Sequence, residues 1–110
     1  MTDTSHPIRH IVLWRVAAET EPDRRAAIDR VRSEFESLRG RIPGLLRLEI
    51  GVDVSRVAYA CDMVLVSDFD SPDALAAYAG HPEHLAVRQR LEGLRIARHQ
   101  VDYPIGGSHA

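Results

Sequence analysis

The apolar positions of this chain follow two different periods, and the alternation between them marks out the elements. Residues 8–16 hold Ile8, Ile11, Val12, Leu13, Trp14 and Val16 without an internal Gly or Pro, which predicts a strand. Beyond it Ile28, Val31, Phe35 and Leu38 recur at steps of three and four, the spacing of one helix face. Thr20 suits the N-cap of that helix, with Asp23 at capping-box distance, Pro22 in the first turn and Gly40 as the stop. After Pro43-Gly44, Leu46, Leu48, Ile50 and Val52 alternate with Arg47, Glu49, Gly51 and Asp53, the period of a strand with one apolar face. A third strand is expected over about residues 59–69, joined to the second by a short polar link at 54–57. Ser71 and Pro72 open a second helix with Asp73 in its first turn, Gly80 and Pro82 interrupt it, and a further helical segment runs to about Leu91 before Gly93. Residues 96–103 give a last strand ahead of a Gly-Gly-Ser tail.

Strand, helix, strand, strand, helix, strand is the order of a ferredoxin-like α+β sheet, whose right-handed crossovers put both helical regions on one face. The other face also carries apolar residues. Val12 and Trp14 alternate with Ile11 and Leu13, and Met63 and Leu65 alternate with Val64 and Val66. Strands apolar on both faces are normally buried on both, so a second copy of the chain is the expected cover and a homodimer the expected assembly. At 110 residues one domain is expected, spanning 8–105, with flexible termini at 1–7 and 106–110.

Charge narrows the classes of partner. A formal net charge of -2 gives no positive field for nucleic acid or anionic lipid, and no segment offers a secretory signal or a membrane span. A cytoplasmic location is the default expectation. Cys61 stands alone in an apolar stretch and reads as a buried, inert thiol. No Gly-rich phosphate loop, Cys-x-x-Cys pair, nucleophile elbow or His-Glu-x-x-His motif occurs, so no cofactor and no metal is expected.

The histidines carry the candidate chemistry. His84 lies three, seven and ten residues before Val87, Leu91 and Leu94, which aims it at the sheet along an apolar stripe. A partly desolvated imidazole stays neutral and can act as a general base, and Tyr78 could hand a hydrogen bond to a carbonyl oxygen or orient the ring. The same two residues could equally be a core histidine bonded to a carbonyl and a packed tyrosine. His10 shares a strand face with Val12 and Trp14 and either packs or lines a cavity. His81, directly before Pro82, reads as a helix cap; with Glu83 and His84 it makes only a weak metal pattern. Arg47 and Glu49 could be pocket groups or a solvated ion pair, and the four arginines between Arg88 and Arg98 read as a wet face.

Three segments together resemble a known family. His10-Ile11-Val12-Leu13-Trp14-Arg15, Ile42-Pro43-Gly44-Leu45, and Tyr78-Ala79-Gly80-His81-Pro82-Glu83-His84 are similar in order and spacing to the Dabb family of stress-responsive dimeric α/β-barrel domains, over about residues 8–105. The resemblance implies a ferredoxin-like subunit whose sheet pairs with a second sheet to form a barrel, with space for a small-molecule ligand. Within the family the nearest enzyme type is olivetolic acid cyclase, and that likeness implies catalytic roles for Tyr78 and His84 with His10 in the site region. Three functions follow as expectations: a cofactor-free cyclase, lyase or isomerase acting on an oxo or polyketide-like compound; a non-catalytic stress-related or ligand-binding dimer; or a cofactor-independent monooxygenase. An aromatic content of 5% points to a small substrate.

Overall fold

The computed structural model describes residues 6–106; the rest of the expected flexible termini lies outside the described residues. Seven elements follow one another: β1 Ile8–Val16, α1 Glu21–Glu36, β2 Leu45–Val52, β3 Met63–Phe69, α2 Pro72–Ala79, α3 Pro82–Arg90 and β4 Arg95–Pro104. The strands form one antiparallel sheet in the order β2-β3-β1-β4, the ferredoxin-like arrangement expected from the element order.

The predicted caps form. Thr20 Oγ1 accepts from the Asp23 amide at 3.2 Å, Ser71 Oγ from the Ala74 amide at 3.1 Å, and His81 Nδ1 from the Glu83 amide at 3.0 Å. Each satisfies a first-turn donor that the helix itself cannot. The cap at His81 has the widest effect of the three, because it starts α3 immediately after α2 and so fixes where His84 emerges.

The core lies between the sheet and the helices. Val12, Trp14 and Leu65 meet Val31, Phe35 and Leu38 from the α1 side and Val87 and Leu91 from the α3 side, all of them buried. Burying one such side chain stabilises the fold by roughly 1.5–3 kcal/mol. Gly44 is required at the entry to β2: its φ is +82°, and a Cβ there would stand 2.6 Å from that of Ala74, so the Ile42–Leu45 turn packs directly under α2.

Three sequence expectations need correction. The third strand begins at Met63, not near residue 59, and the β2–β3 link is a longer loop. Asp53 accepts hydrogen bonds from the amides of Ser55 and Arg56, and the Asp53 amide donates to the Asp62 carbonyl at 2.9 Å, which pulls the intervening chain out of the sheet. Val54 and Tyr59 are consequently exposed, and Cys61 is partly exposed in the loop instead of buried in a strand. Leu46 also leaves the apolar face, because a register shift between Leu45 and Arg47 inserts an extra residue there; Leu46 is 61% exposed.

Candidate functional site

A cavity of about 740 Å³ opens between α3, β1 and β4, on the helix side of the sheet and within a single subunit. That size suits a small organic ligand. His10, Trp14, Phe35, Tyr78 and His84 line it, so half of the chain's aromatic side chains are concentrated on one wall. The low overall aromatic content therefore understates the stacking surface available.

The structure brings the three sequence-predicted site residues together. Tyr78 ends α2, His84 lies in the first turn and a half of α3, and the break at Gly80–His81 lets the two rings face each other with centroids 4.1 Å apart. His10 reaches the same place from β1, its ring 6.2 Å from that of Tyr78 and edge-on to it. Phe69 backs the group, 5.0 Å from Tyr78.

Their hydrogen bonds assign their chemistry. His84 Nδ1 lies 3.3 Å from the Ala79 carbonyl, an acceptor, so Nδ1 carries the hydrogen and Nε2 is left with a lone pair. Burial lowers the His84 pKa below 6.5; the Ala79 bond opposes this, and the charges of Arg88, Arg95 and His10 add to the lowering. The imidazole is thus neutral at pH 7. Burial raises the Tyr78 phenol above its ordinary value, against smaller opposing effects of Arg95 and Arg98, so it remains a hydrogen-bond donor. A neutral base and a protonated phenol side by side are the two halves of proton transfer at a carbonyl compound.

Sequence reasoning missed a carboxylate and did not place three cations at the cavity, of which Arg88 and Arg98 are exposed as expected and Arg95 is partly buried. Asp102 on β4 stands opposite His10 in register, and its Oδ1 accepts from His10 Nδ1 at 2.6 Å while Gln100 Nε2 donates to Oδ2 at 2.9 Å. Only the β1–β4 register shows this, and the two residues are 92 apart in sequence. Arg88, Arg95 and Arg98, expected on a wet face, all line the cavity. Arg95 is partly buried, with its guanidinium carbon 4.9 Å above the Trp14 ring and 5.4 Å from Phe35.

The remaining candidates fall elsewhere. His81 is committed to capping α3 through Nδ1. Arg47 donates to Glu49 on the sheet face away from the helices. Among the described residues no group of three or more His, Cys, Asp or Glu is placed to hold a metal ion, and no helix is long and apolar enough to cross a membrane.

Comparison with known proteins agrees with this architecture. No curated protein matches the chain. Among solved structures, a dimeric ferredoxin-like protein of unknown function from Bacteroides fragilis is 25% identical with a TM-score of 0.80, over 94% of this chain and 100% of that one. A hydroxynitrile lyase from Passiflora edulis is 17% identical, TM-score 0.78, over 96% and 99% of the two chains. SnoaB, a cofactor-independent oxygenase from Streptomyces nogalater, is 13% identical, TM-score 0.72, over 94% and 97%. At such identities the two enzymes share the fold and nothing more is carried over from them. The family model of the stress responsive A/B barrel domain matches residues 8–105, nearly the whole chain with its His10, Tyr78 and His84, and the protein belongs to that family, Dabb.

Proposed function

We propose that this protein is a cofactor-free acid–base enzyme, a lyase, isomerase or cyclase acting on a small oxo compound, and that it works as a homodimer. The observation that carries the reading is the facing pair Tyr78 and His84, 4.1 Å apart on the wall of a ligand-sized cavity. His84 Nε2 takes a proton from the carbon beside a carbonyl. The electron pair released moves toward the substrate oxygen, where Tyr78 donates a hydrogen bond to the developing negative charge. His10, held by Asp102, is the third polar group facing the reacting atoms. A hydroxynitrile lyase is built on the same fold, so lyase chemistry is compatible with such a scaffold.

The dimer reading rests on the sheet face opposite the helices. Ile11, Leu13, Val64 and Val66 sit there in register, with Val101 at 53% exposure beside them, and among the described residues no helix lies on that face. Solved relatives are described as dimeric. Ile11→Asp is expected to give a monomer on light scattering.

The test of catalysis needs no knowledge of the natural reaction. Small 3-oxo compounds are incubated with the protein in heavy water and exchange of the hydrogens between the carbonyls is followed by NMR. Wild type is expected to accelerate exchange. His84→Gln is expected to lose about a hundredfold or more, the usual worth of a positioned base, while remaining folded. Tyr78→Phe is expected to retain binding and lose rate. A second reading, a non-catalytic ligand-binding dimer, draws on the Ala79 bond of His84, which a purely structural histidine would also make. It predicts ligand-induced stabilisation with no exchange, and a lower melting temperature as the main effect of His84→Gln.

A further inference from the structure

Most of the arginines of this chain are neutralised. Eight of them, Arg9, Arg24, Arg25, Arg39, Arg41, Arg47, Arg56 and Arg90, lie within ion-pair distance of a carboxylate. Six have no such partner among the described residues: Arg15 and Arg30, which donate to backbone carbonyls, Arg32, and the three that line the cavity. Among the described residues no carboxylate pairs with Arg88, Arg95 or Arg98, although Arg90, two positions along the same helix, pairs with Glu34 at 2.7 Å. Arg88 stands one helical turn beyond His84, on the same side of α3. Arg98 is opposite Trp14 and Arg95 opposite Val16, so both project to the helix side of the sheet.

One carboxylate, Glu92, also lines the cavity, but it lies within ion-pair distance of none of the three, so three positive charges face one cavity against a single unpaired negative one, an excess that an anionic ligand would offset. Arg95 is held there regardless, by the faces of Trp14 and Phe35, at the cost of partial burial. Beneath it the indole Nε1 of Trp14 is buried without a hydrogen-bond partner, a further donor in the cavity wall. Guanidinium groups match carboxylate and phosphate oxygens in planar, two-pronged contacts that no neutral ligand can replace.

We infer that Arg88, Arg95 and Arg98 form an anion subsite, and that the substrate of the proposed acid–base site is an oxo acid, its carboxylate or phosphate group held by these arginines with its carbonyl toward Tyr78 and His84. This inference rests on the reading of the cavity as a catalytic site. The anchor adds what the Tyr78–His84 pair lacks, a fixed distance between the recognised charge and the reacting carbon. An anion there would also offset the arginine charges that act on His84.

The test compares three probes of equal length, a 3-oxo carboxylate, its methyl ester and the matching oxophosphonate, by calorimetric titration of the full-length protein at low and high salt. The expected result is that the carboxylate or the phosphonate binds at least about tenfold more tightly than the ester, and less so at high salt. Whichever anion binds better identifies the natural group. Arg98→Gln and Arg88→Gln, both at exposed positions, should each cut anion affinity and leave ester affinity unchanged. Arg95→Met, which keeps a long apolar chain over Trp14, should do the same. Equal binding of acid and ester, insensitive to these changes, overturns the anion subsite and leaves the acid–base reading standing. Arginine-dependent binding of the anion with no hydrogen exchange supports the subsite and removes the catalytic reading.

Discussion

Two places in this subunit gather arginines against the sheet, and they are built in opposite ways. At the end of β1, Asp62 accepts from Arg24 Nε at 2.8 Å, from Arg56 Nη1 at 3.3 Å and from the Val16 amide at 2.9 Å. Burial pushes its carboxyl up, but the bonds from Arg24 and Val16 and the charges of Arg24 and Arg56 outweigh that and hold it below the usual range. At the cavity, Arg95 lies over the rings of Trp14 and Phe35 instead, and the charges near it are those of Arg88 and Arg98. The first cluster has its counter-charge within the chain, tying the β2–β3 loop and the start of α1 to β1, although Arg24 Nη2 is left buried without a hydrogen-bond partner. The second has its charges facing space that a small molecule can enter. Arginine content alone does not separate structure from function; the lack of a paired carboxylate together with a place on a cavity wall does.

This contrast predicts unequal costs. Asp62→Ala removes the closer of the two counter-charges of Arg24, whose side chain is only 12% exposed and which keeps Glu21 at 3.1 Å, and should destabilise the protein by about 2 kcal/mol or more on urea unfolding at fixed protein concentration. A loss under about 1 kcal/mol would mean that the cluster is a solvated surface pair and that the contrast does not hold. The contribution should also depend on pH. Because the folded Asp62 carboxyl titrates below its ordinary 3.8, its stabilisation is present above that value and is lost as the pH falls through the lower, folded pKa.

His84 sets the next effect, with the opposite ionic logic. Its folded pKa lies below 6.5, so between that value and 6.5 the unfolded chain binds more protons than the folded one. Stability should fall as the pH drops through this window and be level above it. The difference in urea midpoint between wild type and His84→Gln, measured from about pH 7.5 downward, should carry this slope. A difference independent of pH would show that the ring is not desolvated where the acid–base reading needs it to be.

How much of this was legible in the sequence depends on which features are local. The caps at Thr20, Ser71 and His81 and the helix break at Gly80–Pro82 are decided within a few residues, and so was the pairing of Tyr78 with His84. The two bulges are not local. On β2 the extra residue sends Leu46 into solvent; on β4, Arg95 pairs with Val16 and Ala97 with Arg15, leaving Ile96 over and 64% exposed. Strict alternation would send Arg95 and Arg98 to opposite faces, being three apart, and the bulge at Ile96 puts them on the same one. The anion subsite was therefore hidden by the same irregularity that makes it, and Asp102 was hidden because its partner His10 lies at the other end of the chain.

The smallest predicted effect is the most discriminating for the comparison. Arg98 is exposed, makes no ion pair, and has two other arginines as electrostatic neighbours of its cavity. Replacing it by Gln removes a like-charge repulsion and no attractive partner, so stability should change by no more than about 0.5 kcal/mol and in the direction of an increase. Arg56→Gln, at the other cluster, removes an attraction to Asp53 and Asp62 and should change stability by a similar amount in the opposite direction. The signs of the two changes matter more than their sizes. Opposite signs at two similarly exposed arginines would show that one cluster is satisfied by the chain and the other is held ready for a ligand, whereas a loss at both would point to an internal partner for Arg98 and weaken the case for an anion in the cavity.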